Sequence, residues 1–188
     1  MALEFSKDAK SEIAALRPKY PTTQALCLPV LHLAQAEFGF IGDEAIALVA
    51  AEVGVPPAYV MEVATFYTLY NRKPVGEYVI SVCQTLSCHL RGANMVVNHL
   101  QKKLGIHVGE TTPDGKFTLA AVECLASCGT APMFQVTARD YSLNAYYERL
   151  TEPRIDEILN ELSKRPAVKA VPKQTPLLDR AVGGHHHG

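Results

Sequence analysis

Two cysteine pairs constrain this chain more than any other feature. Cys83 and Cys88 have four residues between them, Cys124 and Cys128 have three, and 35 residues separate the pairs. Each pair lies at the end of a short run that reads as a strand: Tyr78 to Cys83 (YVISVC) is β-branched, and Phe117 to Val122 (FTLAAV) alternates. If the two strands are neighbours, both pairs arrive at one rim of a sheet and four sulfurs can converge. Thr85, Ser87, Gly129 and Thr130 suit such a rim. They are small or carry hydroxyls, and loop N–H groups beside them can donate to thiolate or sulfide.

The remainder of the chain divides around that pattern. Residues 1–72 read as a helical bundle. Ser6 to Leu16 is a helix stopped by Pro18, since the residue before a proline avoids the α region. A second helix, capped by Thr22 or Thr23, runs to Phe38 with Gly39 as its stop, and Pro29 is expected to kink it near Ala25. A third starts with Asp43 as N-cap and ends at Gly54, and a fourth starts at Pro56 and Pro57. The fourth carries Phe66, Tyr67 and Tyr70 as core or as a partner surface. Pro74 and Gly76 mark a linker. After it come the first strand, a helix over Arg91 to Leu104, the second strand, strands at Met133 to Ala138 and near Tyr146 and Tyr147, and a helix over Pro153 to Leu162. The expected fold class is α+β: the helical bundle, then a mixed α/β domain over 76–165, then a flexible basic tail over 166–188. The closing GGHHHG is left out of the functional argument.

Charge and hydropathy limit the function classes. Lys plus Arg is 18 against 19 Asp plus Glu, which argues against a nucleic-acid-binding protein. No run approaches the roughly 20 apolar residues of a membrane helix, so no direct membrane insertion is expected. The first ten residues hold Glu4, Lys7, Asp8 and Lys10 and no apolar core of a secretory signal. A cytosolic protein is expected, a cytosolic face on a membrane complex included, and disulfides are not the default use of cysteine there.

Four cysteines admit three chemistries. A [2Fe–2S] cluster takes four thiolates, two per iron. A structural zinc takes four in a tetrahedron. Two disulfides or a redox dithiol need no metal, although the C-x-x-C of a thioredoxin-type active site is absent. The longer gaps favour the wider object, the cluster, and spacing leaves the other two open. Arg91 is a candidate counter-charge near a helix start. His89 reads as a neighbour of a ligand, and Cys27 as a core thiol without chemistry.

The segments VCQTLSCHLRGA (Val82 to Ala93) and ECLASCGTAPMFQV (Glu123 to Val136) resemble the cluster-binding segments of the thioredoxin-like [2Fe–2S] subunit of respiratory complex I, a family that also supplies NAD-linked hydrogenases and formate dehydrogenases. ALCLPVLHLAQAEFGFIGDEAI (Ala25 to Ile46) and VPPAYVMEVATFYTLY (Val55 to Tyr70) resemble its helical part. The resemblance implies a thioredoxin-like second domain and one [2Fe–2S] cluster on Cys83, Cys88, Cys124 and Cys128. It implies an FMN- and NADH-binding flavoprotein partner, and a place on the cytoplasmic side of the inner membrane within a complex. No residue of this chain is then a catalytic acid or base. The same role in a hydrogenase or formate dehydrogenase, or a zinc-stabilised interaction module, is the alternative.

Overall fold

The computed structural model describes residues Leu3 to Val168; the expected basic tail and the histidine-rich end lie outside the described residues except for the tail's first three positions. The chain forms two compact units that divide between Pro74 and Val75.

The first unit is all helix. Helix α1 (Lys7–Leu16) starts where the Ser6 hydroxyl accepts the Ala9 N–H at 3.2 Å. Helix α2 (Cys27–Phe38) begins later than the sequence suggests, after a 3-10 turn over Gln24–Leu26. The expected mid-helix kink at Pro29 is therefore absent. With the helix starting at Cys27, Pro29 falls in the first turn, where its missing N–H has no intrahelical partner to lose. Helix α3 (Asp43–Val53) takes Gly42 as N-cap, so Asp43 is the first helical residue and not the cap; its carboxylate is held by Arg72 at 2.9 Å instead. Helix α4 (Pro57–Phe66) follows Pro56.

These helices enclose Ile13, Leu26, Leu31, Ile41, Val60 and Tyr70. A buried amide ties the chain after α4 to this core. The Gln35 side chain donates to the Leu69 carbonyl at 2.8 Å and accepts the Asn71 N–H at 2.6 Å. The Tyr70 hydroxyl donates to the Leu28 carbonyl at 2.8 Å. The aromatics thus split: Tyr70 is core, whereas Phe66 is 77% exposed.

The second unit is a four-stranded mixed sheet with helices, in the order β2-β1-β3-β4. Strands β1 (Tyr78–Cys83) and β2 (Phe117–Val122) are parallel, with Cys83 opposite Val122. Parallel neighbours need a crossover. It is supplied by α5 (Leu86–Leu90) and α6 (Ala93–Leu104). Strands β3 (Phe134–Ala138) and β4 (Asn144–Tyr147) add antiparallel pairs, leaving β4 at the edge. Helix α7 (Glu152–Lys164) completes the unit. Tyr78, Ile80, Leu119, Phe134, Val136, Val96, Leu100, Ile155 and Ile158 form one core. Helices α6 and α7 are further joined where Asp156 receives His99 at 2.7 Å and Lys103 at 2.8 Å.

The helix expected to start at Arg91 starts at Ala93. Gly92 has φ 103, a left-handed conformation that separates α6 from α5. Among the described residues no single helix is long and apolar enough to cross a membrane.

Candidate functional site: two thiol pairs on one sheet rim

The parallel register brings the cysteines together. Cys83 is the last residue of β1, and Cys124 lies two residues beyond its opposite number in β2. Both chain segments leave the sheet in the same direction. Cys88 returns on α5, and Cys128 opens a 3-10 turn over Cys128–Thr130 that packs against α5. Cys83 and Cys88 are buried, while Cys124 and Cys128 are exposed.

The sulfurs form two touching pairs. Cys124 and Cys128 Sγ stand 3.5 Å apart. Cys83 and Cys88 are joined by a side-chain hydrogen bond. The pairs also face each other: Cys83 acts electrostatically on both Cys124 and Cys128. Thr85 bridges them. Its hydroxyl is 3.1 Å from Cys83 Sγ and also reaches Cys124.

Each pair is electrically split. Burial opposes the Cys83 thiolate, but the Thr85 hydroxyl and N–H, the Leu125 N–H and Cys88 outweigh it and hold the thiol below its ordinary value. Burial, then the adjacent Cys83, pushes Cys88 up to about 11, against a hydrogen bond from Met133. The Ala126 N–H, which meets Cys124 Sγ at 3.3 Å, lowers Cys124 first, followed by Cys128 and Thr85. The neighbouring Cys124 raises Cys128, with the Ser87 hydroxyl opposing. Within each pair the surroundings lower one thiol and raise its neighbour.

Among the described residues no group of three or more His, Cys, Asp or Glu side chains is arranged to hold a metal ion, so the thiols stand as two pairs. Two pairs of sulfurs fit a group with two metal centres, each of which takes two thiolates.

Of the expected donors, Thr85 and Ser87 reach sulfur. Thr130 does not: its hydroxyl donates to the Glu148 carboxylate at 2.6 Å, and Ser127 also donates to Glu148, so these groups brace the Cys128 turn. Arg91 follows α5 and directly precedes the Gly92 N-cap of α6, near a helix start as expected, and it is exposed. His89 is exposed. Cys27 is 2% exposed in the other unit's core, where burial pushes its thiol up to about 11.

The loop N–H donors expected at this rim are those of Leu125, Ala126 and Met133, positions that no residue type singles out in the sequence. Ala126 has φ 63, a conformation that costs a non-glycine residue about 1–2 kcal/mol. That conformation accompanies an N–H aimed at Cys124. The one sequence signal available was the shortness of the three-residue gap, which forces a tight turn.

The sequence matches the thioredoxin-like [2Fe–2S] ferredoxin family over residues 13–163. It is 38% identical over 162 residues to an NADH-quinone oxidoreductase subunit of Rhizobium meliloti, covering 86% of this chain and 93% of that one. It is 41% identical over 157 residues to NADH-quinone oxidoreductase subunit 2 of Thermus thermophilus, covering 82% and 84%. In fold it is similar to a chain of the NAD+-reducing [NiFe]-hydrogenase in the H2-reduced state. The TM-score is 0.61 at 23% identity, over 75% of this chain and 23% of the hydrogenase chain. The family match spans both units and all four paired cysteines, and its description implies a [2Fe–2S] cluster. On these grounds the chain belongs to the thioredoxin-like [2Fe–2S] ferredoxin family.

Proposed function

We propose that this chain is an electron-transfer subunit of an NADH:quinone oxidoreductase. It holds one [2Fe–2S] cluster on Cys83, Cys88, Cys124 and Cys128. The electrons come singly from FMN on a partner flavoprotein subunit, which also binds NADH. The observation that carries the reading is the meeting of two thiol pairs beyond the carboxyl ends of β1 and β2. Relatives named as subunits of NADH-quinone oxidoreductase, at about 40% identity over most of the chain, support the assembly. The place of work is the cytoplasmic side of the inner membrane, peripheral to it. The helical unit serves assembly and the sheet unit serves redox chemistry.

When bound, the cluster supplies a centre that gains and loses one electron. The chain's own residues do the rest. Four sulfurs bind as thiolates, so loading expels thiol protons, and it does so against the burial that raises Cys88 and the neighbouring Cys124 that raises Cys128. The Thr85 and Ser87 hydroxyls and the Leu125, Ala126 and Met133 N–H groups donate toward the sulfurs and offset the cost of partly burying negative charge. Cys83 and Cys88, under the sheet rim, keep water from one side. No residue needs to move a proton during turnover.

Anaerobic reconstitution of the full chain tests this. About two irons and two acid-labile sulfides per chain are expected, with an electron paramagnetic resonance signal on reduction. Serine at any of the four paired cysteines should lower or alter both, while Cys27→Ser should leave both unchanged. A colourless zinc-containing product, or equal loss at Cys27, overturns the assignment.

A further inference from the structure

The two thiol pairs differ in reach. Cys83 and Cys88 are buried and pack with Ala93, Ala131 and Met133 into a small core of their own. Cys124 and Cys128 are exposed. Their sulfurs stand 3.5 Å apart, at the two ends of a loop with three residues between them. At that separation a side-chain rotation is enough to join them. The fifth thiol, Cys27, is 2% exposed in the core of the helical unit.

The loop that carries the exposed pair is fixed by its own bonds. The Thr130 hydroxyl donates to the Glu148 carboxylate at 2.6 Å and lies 2.8 Å from the Ser127 hydroxyl, and the Arg149 N–H donates to the Thr130 carbonyl at 2.8 Å. The Ala126 N–H donates to Cys124 Sγ at 3.3 Å, which favours a negative sulfur there. Two sulfurs held in contact react with each other at an effective concentration that no free thiol reaches. The link to the buried pair runs instead through the Thr85 hydroxyl, 3.1 Å from Cys83 Sγ and bonded also to Cys124. An oxidant from solution therefore meets a ready dithiol in Cys124 and Cys128 and a shielded one in Cys83 and Cys88.

We infer that Cys124 and Cys128 form a reversible dithiol–disulfide switch that gates cluster insertion: before the cluster enters, a low-molecular-weight disulfide oxidises this pair and leaves Cys83 and Cys88 reduced. The inference rests on the ligand set proposed above. The Cys124 thiolate attacks one sulfur of the small disulfide, forming a mixed disulfide and releasing the first small thiolate. The Cys128 thiolate then attacks the Cys124 sulfur, and the second small thiolate leaves. Both protein thiols are thus oxidised, the small disulfide is reduced to two thiols, and the protons given up by the protein end on those thiols. Excess small thiol runs the same steps backwards. In the oxidised form only one thiol pair is left for a group that takes two, so loading waits for a reductant. The bridge also spares the exposed sulfurs from sulfinic oxidation, which thiols do not reverse.

The test takes the full chain, reduced and free of iron, and incubates it with glutathione disulfide at a series of ratios to glutathione. Free thiols are then blocked with an alkylating reagent and the cysteines mapped by mass spectrometry. The expected product has lost two hydrogens in the peptide that holds Cys124 and Cys128, with Cys83 and Cys88 alkylated only after unfolding. Its circular dichroism should match that of the reduced chain. Anaerobic loading with iron and sulfide should be lost in this product and return in full after treatment with dithiothreitol. Cys128→Ser should stop the reaction at a glutathione adduct on Cys124. A bridge that includes Cys83 or Cys88 overturns the inference. So does a chain that keeps all its thiols in excess glutathione disulfide, or an oxidised chain that loads without reductant. A reduced chain that takes up no iron, while the Cys124–Cys128 bridge forms and reverses, sinks the functional reading and leaves the thiol switch standing.

Discussion

Thr85 is the side chain through which this fold should tune its redox centre most sensitively. Its hydroxyl sits 3.1 Å from Cys83 Sγ and within reach of Cys124, so it addresses both sulfur pairs. It is also the N-cap of α5 but makes no side-chain cap bond, so Thr85→Val removes a donor without uncapping a helix. A hydrogen bond to a charged group is worth about 1.5–3 kcal/mol. On reduction the formal charge of a four-cysteine cluster grows from about −2 to about −3, so the bond strengthens by a fraction of that, roughly 0.5–1 kcal/mol. For a one-electron couple, 1.4 kcal/mol corresponds to about 59 mV. Thr85→Val should therefore lower the midpoint potential by about 20–40 mV. Thr85→Ser, which keeps the hydroxyl, should stay close to the parent. Potentiometric titration monitored by electron paramagnetic resonance reads the shift. An unchanged or raised potential in a Thr85→Val protein with full iron content would refute the argument that this hydroxyl donates to ligand sulfur.

Four further outcomes follow from packing and titration. Phe134 is fully buried in the sheet unit's core, and Phe134→Ala should cost about 3–5 kcal/mol in chemical unfolding, with iron retention falling in step. Tyr70→Phe removes the donor to the Leu28 carbonyl and should destabilise the helical unit by about 1 kcal/mol while leaving the resonance spectrum unchanged. Cys27 has its thiol raised to about 11 by burial, so its share of stability is whole below pH 9 and drains away as pH climbs toward 11. Cys27→Ala should flatten that alkaline decline. In the folded cluster-free chain at pH 8, mass spectrometry should find Cys27 the thiol most protected from alkylation after brief exposure, and Cys124 the readiest to react.

The sheet was readable in the sequence because β-branched and alternating runs such as YVISVC have few other uses. The sequence put both cysteine pairs on one rim only on condition that their strands are neighbours, and the β2-β1 pairing meets that condition. The details that misled were ones where tertiary context chose among equal local options. Pro29 fits either a kinked helix interior or a first turn, and the choice was made by the 3-10 segment before Cys27. Asp43 is as good an N-cap as any, but Arg72 claimed its carboxylate from 29 residues away. Helix α5 was invisible because five residues with two outward leucines carry no burial period. Thr130 has the chemistry to serve a sulfur, and only the approach of Glu148 from 18 residues downstream redirected it. Backbone donors such as Ala126 leave no residue-type signature at all.

The pairing of Cys83 with Val122 joins stretches of chain whose distance in sequence is spanned by α5 and α6. Neither half of the thiol quartet is of use without the other, and they meet only after that crossover has closed and the strands have aligned residue for residue. Slippage by one position would turn alternate side chains to the opposite face and part the sulfurs. Iron uptake should therefore be a late event in the maturation of this polypeptide, and iron loss an early warning that its sheet has begun to shear.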